Sequence, residues 1–311
     1  MRNGLLTDKK LLCFLMTDKG LSSLDYAINR GYRENIGCVV SYNDKNMKTD
    51  DSQRIFALCE EHGIPHFVWF EVKDHLTKLI VNHNITSAVA ISWQYLIDLS
   101  INTLLQDDLI IFHDSLLPRY RGFTPTVTAM LCGDRMTGVS VIKASEQVDS
   151  GDIILQKQVD ISNEDYIKDV IEKQSMIYAE SFVEIIDRLR KGNLLTYPQD
   201  HALATYSVWR SLEDCRVDWS LSARMIHILV RAVSSPYPGA YTFYENKKII
   251  INRAEVLDKD IIFAIRDFGK IWLIQNGIPV VICGNGMLEI TDAVYENGEK
   301  VIFNKLRVRL K

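Results

Sequence analysis

The chain has 311 residues, 47% hydrophobic and 24% charged, with 36 Lys and Arg against 40 Asp and Glu for a formal net charge of −4. Such a composition excludes a disordered or collagen-like chain, and this length supports about two domains with cores that need no disulfide or metal staples. The mild acidity argues against a protein whose main task is gripping a nucleic-acid backbone.

Residues 11–16 form a short apolar run, too short for a membrane span or a signal-peptide core. A helical stretch follows through Leu24, Ala27 and Ile28. Residues 37–41 read as a strand, 53–62 as a helix stopped by Gly63, 66–70 as a strand, 75–82 as a helix and 87–92 as a strand. Further buried runs lie at 109–113 and 138–144. Strands alternating with helices at this spacing predict a doubly wound, mainly parallel sheet. Residues 162–191 read as one long amphipathic helix, with Ser162 or Asn163 as its cap. Residues 194–205, which contain Pro198, Gln199 and Asp200, read as an extended linker. A helix at 223–234 and the turn Ser235-Pro236-Tyr237-Pro238-Gly239 come next. Short strands are expected at 240–244, 248–254, 271–274, 280–282 and 288–293, with turns at Asn285-Gly286 and Asn297-Gly298. Together they describe a small β-rich domain, a barrel by expectation.

The six cysteines, Cys13, Cys38, Cys59, Cys132, Cys215 and Cys283, contain no CxxC pair. They read as buried reduced thiols, with neither a disulfide framework nor a metal site. A cytoplasmic protein with no membrane association is the expectation.

Chemistry concentrates in His113-Asp114-Ser115-Leu116-Leu117-Pro118-Arg119-Tyr120-Arg121-Gly122. An apolar strand delivers a lone histidine to its carboxyl end, where open α/β sheets bind ligands, and histidine can act there as a general base near neutral pH. Taken alone, His113 reads first as a strand cap paired with Asp114. A second piece, Val148-Asp149-Ser150-Gly151-Asp152, is a carboxylate-rich turn after the strand at 138–144, and alone it reads as an Asx-type turn.

The two pieces together resemble the folate-dependent formyltransferase family, whose members include methionyl-tRNA, glycinamide ribonucleotide and nucleotide-sugar formyltransferases. Its N-x-H-x-S-L-L-P-x-x-x-G run and D-[AST]-G turn match here, with Gly138-Val139-Ser140 where a T-G-V-[ST] strand is expected. Further matches are Ala204-Thr205-Tyr206-Ser207, Asp218-Trp219, Ile226-His227-x-x-Val230-Arg231 and Pro236-Tyr237-Pro238-Gly239-Ala240. The resemblance implies a Rossmann-like, mainly parallel α/β catalytic domain over residues 1–195. It also implies a small β-rich, OB-like barrel over 205–311. By the same resemblance an amine attacks the formyl carbon of N10-formyltetrahydrofolate, the co-substrate, with His113 as base and Asp149 as its partner. Folate-binding groups are then expected at Tyr95, Leu96 and Ile97 and at Ser145, Glu146, Gln147 and Val148, with Ser115, Leu116, Leu117 and Pro118 lining the formyl end. Trp93 nearby reads as core.

One family residue is missing. The asparagine that donates to the developing oxyanion stands two positions before the histidine, and here that position is Ile111. Residues two apart on a strand face the same way, so an isoleucine points where an amide is expected. Either a backbone N–H or Ser115 supplies the donor, or the enzyme is slow, or the chain is a folate-binding homologue without transfer.

The acceptor is read from two features. Methionyl-tRNA formyltransferases carry a basic, glycine-rich insertion after the second strand, whereas residues 42–51 here hold two lysines against three aspartates and no arginine or glycine. Residues 205–311 hold 15 basic and 12 acidic side chains, a weak excess for an RNA surface. The alternating Lys305-Leu306-Arg307-Val308-Arg309 reads as the solvated face of a final strand. The catalytic run instead resembles sugar N-formyltransferases, which implies a nucleotide-linked aminosugar, built for a surface polysaccharide such as the O-antigen of lipopolysaccharide. Asp114, Arg121 and Phe123 are expected to shape its pocket. Tyr237 and Tyr241 read as barrel core before base-stacking residues. Methionyl-tRNA remains the alternative acceptor, and the oligomeric state is left open, a homodimer included.

Overall fold

The computed structural model describes residues 9–42, 51–257 and 261–311. It divides into two compact units: Met1–Pro125, Met136–Asp160 and Ile171–Ser207 form one, and Thr126–Arg135, Ile161–Val170 and Val208–Lys311 the other. Most of the 42–51 segment weighed above, residues 43–50, lies outside the described residues.

In the first unit β1 (Leu11–Leu15), β2 (Ile36–Ser41), β3 (His66–Val68), β4 (Ser87–Ile91) and β5 (Ile110–His113) run parallel in the order β3-β2-β1-β4-β5. β6 (Arg121–Gly122) lies outside this sheet, which β7 (Met136–Lys143) and β8 (Ile153–Asp160) extend antiparallel to seven strands. All five residues of β1 are buried, as in a central strand covered on both faces. Leu11, Cys13, Leu15, Val89, Ile91, Ile110 and Phe112 face one core. That core takes in residues of helices α1 (Thr17–Asn29), α2 (Asp51–Glu61) and the long α6, Ile167–Arg190. Leu12, Phe14, Val40, Ala88 and Ala90 face the other core, with α3 (Trp69–Val72) and α4 (Leu76–Asn82). The mainly parallel sheet expected from the sequence is present.

Local boundaries differ from expectation for physical reasons. β3 stops at Val68 because α3 begins at Trp69. Ser162 does cap a turn: its Oγ accepts from the N–H of Asp165, whose carboxylate accepts from Ser162 N–H. This reciprocal box closes residues 162–165 on themselves. α6 starts separately at Ile167, where Asp169 accepts from the Tyr166 N–H at 2.8 Å. Neither β8 nor α5 (Pro125–Leu131) was foreseen.

β9 (Tyr206–Ser207) pairs with β6 within the first unit, so the expected linker ends in a strand. The second unit holds α7 (Ala223–Ala232), capped by Ser222 Oγ on the Met225 N–H. It also holds β10 (Ala240–Tyr244), β11 (Lys247–Leu257), β12 (Ile271–Gln275), β13 (Ile278–Ile282) and β14 (Met287–Tyr295). These form an antiparallel sheet in the order β10-β11-β14-β13-β12. Residues 308–311 lace its two edges together: Phe243 and Lys311 exchange backbone hydrogen bonds on the β10 side, and Ile271 N donates to Val308 O on the β12 side. Pairing both edges removes exposed ladder groups and gives the sheet a barrel-like closure. The 305–309 tail is not a strand. Arg307 sits at φ 65°, and only Arg309 forms a bridge, to Lys270. Tyr241 is buried in this unit, while Tyr237 is partly exposed.

All six cysteines are free, and Cys132 is exposed rather than buried because it follows the last turn of α5. Burial pushes the Cys38, Cys59 and Cys283 thiols up to about 12, so they stay protonated. Among the described residues no helix is long and apolar enough to cross a membrane, and no group of three or more His, Cys, Asp or Glu could hold a metal ion.

Candidate active site

β5 carries His113 to its carboxyl end, on the same face of the strand as Ile111. The chain then turns back, and His113 Nε2 lies 2.8 Å from the carbonyl oxygen of Tyr120. A carbonyl only accepts, so Nε2 carries the proton and donates. In the neutral ring Nδ1 therefore holds a bare lone pair, and it lies 3.5 Å from Asp149 Oδ2. That carboxylate oxygen also accepts the Gly122 N–H at 2.8 Å. A proton arriving on Nδ1 falls between imidazole and carboxylate, an arrangement that can take up a proton. Asp149, not Asp152, faces the histidine: Asp152 is exposed, with Thr196 Oγ1 3.4 Å from its carboxylate.

The hairpin loop between β7 and β8 delivers Asp149, which sits at φ 52°, a left-handed conformation that Asp tolerates better than most residues. The close packing of this loop explains Gly151, where a Cβ would stand 1.8 Å from the Lys143 carbonyl oxygen. Ser145 and Ser150 hydroxyls both donate to Gln147 O at 2.8 Å. The turn thereby closes on itself and leaves the side chains of Glu146, Gln147 and Val148 exposed. Past β4, Leu96 is 89% exposed, while Tyr95 and Ile97 pack on the apolar cluster that Ile111 and Ala144 also touch. Trp93 belongs to this aromatic wall, 5.3 Å from the Phe14 ring, and its buried indole N–H has no partner among the described residues.

Several residues expected to meet ligand make structural contacts in the fold. Asp114 points away from His113. Its carboxylate pairs with Lys19 at 2.7 Å and accepts from the Tyr178 hydroxyl, because successive strand residues face opposite sides of the sheet. Burial opposes its ionisation, but Lys19, Tyr178 and the nearby His113 outweigh this and hold the Asp114 carboxyl below the usual carboxylate value. Arg121, 2% exposed, is bonded to Gln199 Oε1 and His201 Nδ1. The Ser115 hydroxyl, a candidate oxyanion donor, is committed to Arg119 O at 2.6 Å. Leu117 is buried, its N–H given to Ser140 and its carbonyl taken by Gln156. Leu116 lies against Gly138, and the Pro118 carbonyl accepts from Thr205 N. Of the three expected pocket residues Asp114, Arg121 and Phe123, only Phe123 is open, at 56% exposed.

The Lys19–Asp114 pair gives a testable consequence. Lys19 is 5% exposed, and Lys19→Met strands a mostly buried carboxylate, so urea unfolding at pH 7 should show a loss of about 3 kcal/mol. Because the folded Asp114 value is depressed, the pair's stabilisation is complete above the unfolded carboxylate value and fades as pH falls through the lower folded one. The gap between wild type and Lys19→Met should therefore shrink in acid. A gap independent of pH would refute the assignment.

The His–Asp pair stands at the carboxyl end of a strand in an open α/β sheet, where α/β enzymes of this architecture bind their ligands. A family profile described as formyl transferase matches residues 21–186, and one described as formyl transferase, C-terminal domain, matches residues 211–305. The methionyl-tRNA formyltransferase of Thermodesulfovibrio yellowstonii is 31% identical over 255 residues, 80% of this chain and 80% of that one. WlaRD, described as a sugar 3N-formyl transferase in the presence of dTDP and 5-N-formyl-THF, has a TM-score of 0.66 at 16% identity, over 96% of this chain and 99% of that one. The N-formyltransferase of Helicobacter canadensis, in complex with folinic acid and dTDP-3-aminofucose, also gives 0.66 at 16% identity, over 94% of this chain and all of that one. At such identities the two solved structures speak to the fold. The chain belongs to the formyl transferase family, enzymes that transfer formyl groups.

Proposed function

We propose that the chain moves the formyl group of N10-formyltetrahydrofolate to the amine of a nucleotide-linked aminosugar. The observation that carries this reading is the His113–Asp149 pair, with Nε2 fixed on Tyr120 O and Nδ1 left to accept a proton. The residues present fit a folate: Leu96 and Val148 offer exposed apolar surface in the two expected loops. When bound, the folate supplies the formyl carbon. His113 Nδ1 removes a proton from the attacking amine, and Asp149 stabilises the imidazolium that results. Ile111 sets an apolar side chain where the formyl oxygen gathers charge.

The aminosugar reading draws support from the acidic 42–51 segment and from the near full-length likeness to sugar N-formyltransferases. Methionyl-tRNA is the second reading, favoured by the 31% identity to a methionyl-tRNA formyltransferase. One assay separates them: release of tetrahydrofolate from N10-formyltetrahydrofolate in the presence of a panel of nucleotide-aminosugars and of charged initiator tRNA. Turnover with an aminosugar and none with tRNA is expected. Turnover with tRNA alone overturns the sugar assignment, and folate binding without turnover on any amine overturns the transferase reading for this site.

A further inference from the structure

We propose that residues 199–207, which begin inside the 194–205 segment that reads as a linker, are a positioning strap that sets the geometry of the proton-handling pair, with Gln199 and Thr205 as its working side chains. The inference rests on the reading of His113 and Asp149 as that pair.

Both groups that aim the pair stand in the left-handed region, Tyr120 at φ 60° and Asp149 at φ 52°. For a bulky residue such as Tyr120 this conformation is sparsely populated and persists only where surrounding contacts over-determine it. The strap supplies those contacts. Thr205 Oγ1 accepts the Tyr120 N–H at 2.9 Å, Thr205 N donates to Pro118 O at 3.2 Å, and Thr205 O accepts the Arg121 N–H at 2.9 Å. One further step along, Ser207 O accepts the Phe123 N–H at 3.1 Å. Gly122, at φ 98°, lies so close to Ser207 O that a Cβ would come to 2.5 Å. With this loop pinned, the Tyr120 carbonyl is directed at His113 Nε2 and the Gly122 N–H at Asp149.

Gln199 does the same for the other partner. Its Nε2 donates to Asp149 O at 2.9 Å and Gly151 O at 2.7 Å, and its Oε1 accepts from Arg121 Nη2 at 2.6 Å and Nε at 3.2 Å. The orientation of the amide is unambiguous, since a guanidinium only donates and carbonyls only accept. All four hydrogen-bonding positions of this buried side chain are used, two on each side of the catalytic centre. Gln199 therefore fixes the distance between the loop that orients the histidine and the turn that carries the aspartate. Glutamate could keep Arg121 but would set a carboxylate against two carbonyl oxygens, and alanine would release both sides.

The test compares Gln199→Ala, Gln199→Glu, Thr205→Val and Thr205→Ser. Each is checked for folding by urea unfolding, for the His113 ring nitrogens by long-range proton–nitrogen NMR, and for kcat and KM in the tetrahydrofolate-release assay. In wild type the ring should show the Nε2–H tautomer. Gln199→Ala, Gln199→Glu and Thr205→Val should average the two tautomers and lower kcat by about 10- to 100-fold, with KM for N10-formyltetrahydrofolate changed by less than about threefold. Thr205→Ser, which keeps the hydroxyl, should restore both the tautomer and the rate. Should Gln199→Ala fail to fold, Gln199→Glu and Thr205→Val carry the same readouts. Folded variants with a wild-type ring spectrum and wild-type kcat overturn the strap. If wild type transfers to none of the amines, the functional reading fails while the ring spectra still decide the strap.

Discussion

His113→Ala protein is expected to remain folded and to release tetrahydrofolate about 10²- to 10⁴-fold more slowly than wild type, the range a positioned general base contributes. Two features set that size. His113 Nδ1 is the ring nitrogen left free by the Nε2–Tyr120 bond, and the carboxylate 3.5 Å away is placed to stabilise the imidazolium. Removing the ring also leaves the Tyr120 carbonyl short of a donor, so His113→Gln, whose amide nitrogen can stand in for Nε2 and donate to that oxygen, is the companion variant. Loss of rate in both, with similar unfolding midpoints, assigns the effect to proton transfer. A His113→Ala rate within about threefold of wild type would falsify the role, because so small a change is below what acid–base catalysis supplies.

What could be read from the sequence and what could not divide along the range of the forces involved. The parallel sheet was legible because β1, β2 and β4 are continuous apolar runs, the mark of strands covered on both faces. His113 was legible as a polar residue ending such a run, and Asp149 through its motif. The direction of Asp114 was legible from strand alternation: adjacent residues face opposite sides of a sheet, and the far side is where Lys19 and Tyr178 wait. The partner of Arg121 was not legible. An arginine beside a catalytic histidine suggests an anion contact, yet its partner is a glutamine 78 positions away. Gln199 itself carried no periodic signal at all. A lone polar residue in an irregular, proline-containing segment looks solvated, and only the fold reveals that Gln199 itself is buried while most of its neighbours stay exposed. The 162–165 capping box shows a milder form of the same limit: the local hydrogen bonds were readable, but not that the helix would begin two residues later.

Ile111→Asn is expected to raise kcat by about tenfold or more while lowering thermal stability, because one oxyanion donor is worth about 10²–10³ in rate when its geometry is ideal. The rate argument follows from what surrounds the position. Ile111 shares the strand face of His113, and the Ser115 hydroxyl is already committed to Arg119 O, so an amide two residues before the histidine adds a donor that this side chain does not supply. The stability argument runs the other way. Ile111 packs against Leu117, Ile142 and Ile153 on one side and against the cluster of Phe14, Ala88 and Ala90 on the other. Replacing that contact with an amide should cost about 2–4 kcal/mol, which at about 2–4 °C per kcal/mol lowers Tm by roughly 5–15 °C. Ile111→Val separates the two effects: it loosens the packing by about 0.5–1.5 kcal/mol and adds no donor, so its rate should equal wild type. A rise in Ile111→Asn alone identifies the missing donor as the factor that limits the natural enzyme. An unchanged or lower kcat in folded Ile111→Asn protein refutes this and assigns the oxyanion contact to the backbone of the wild-type site.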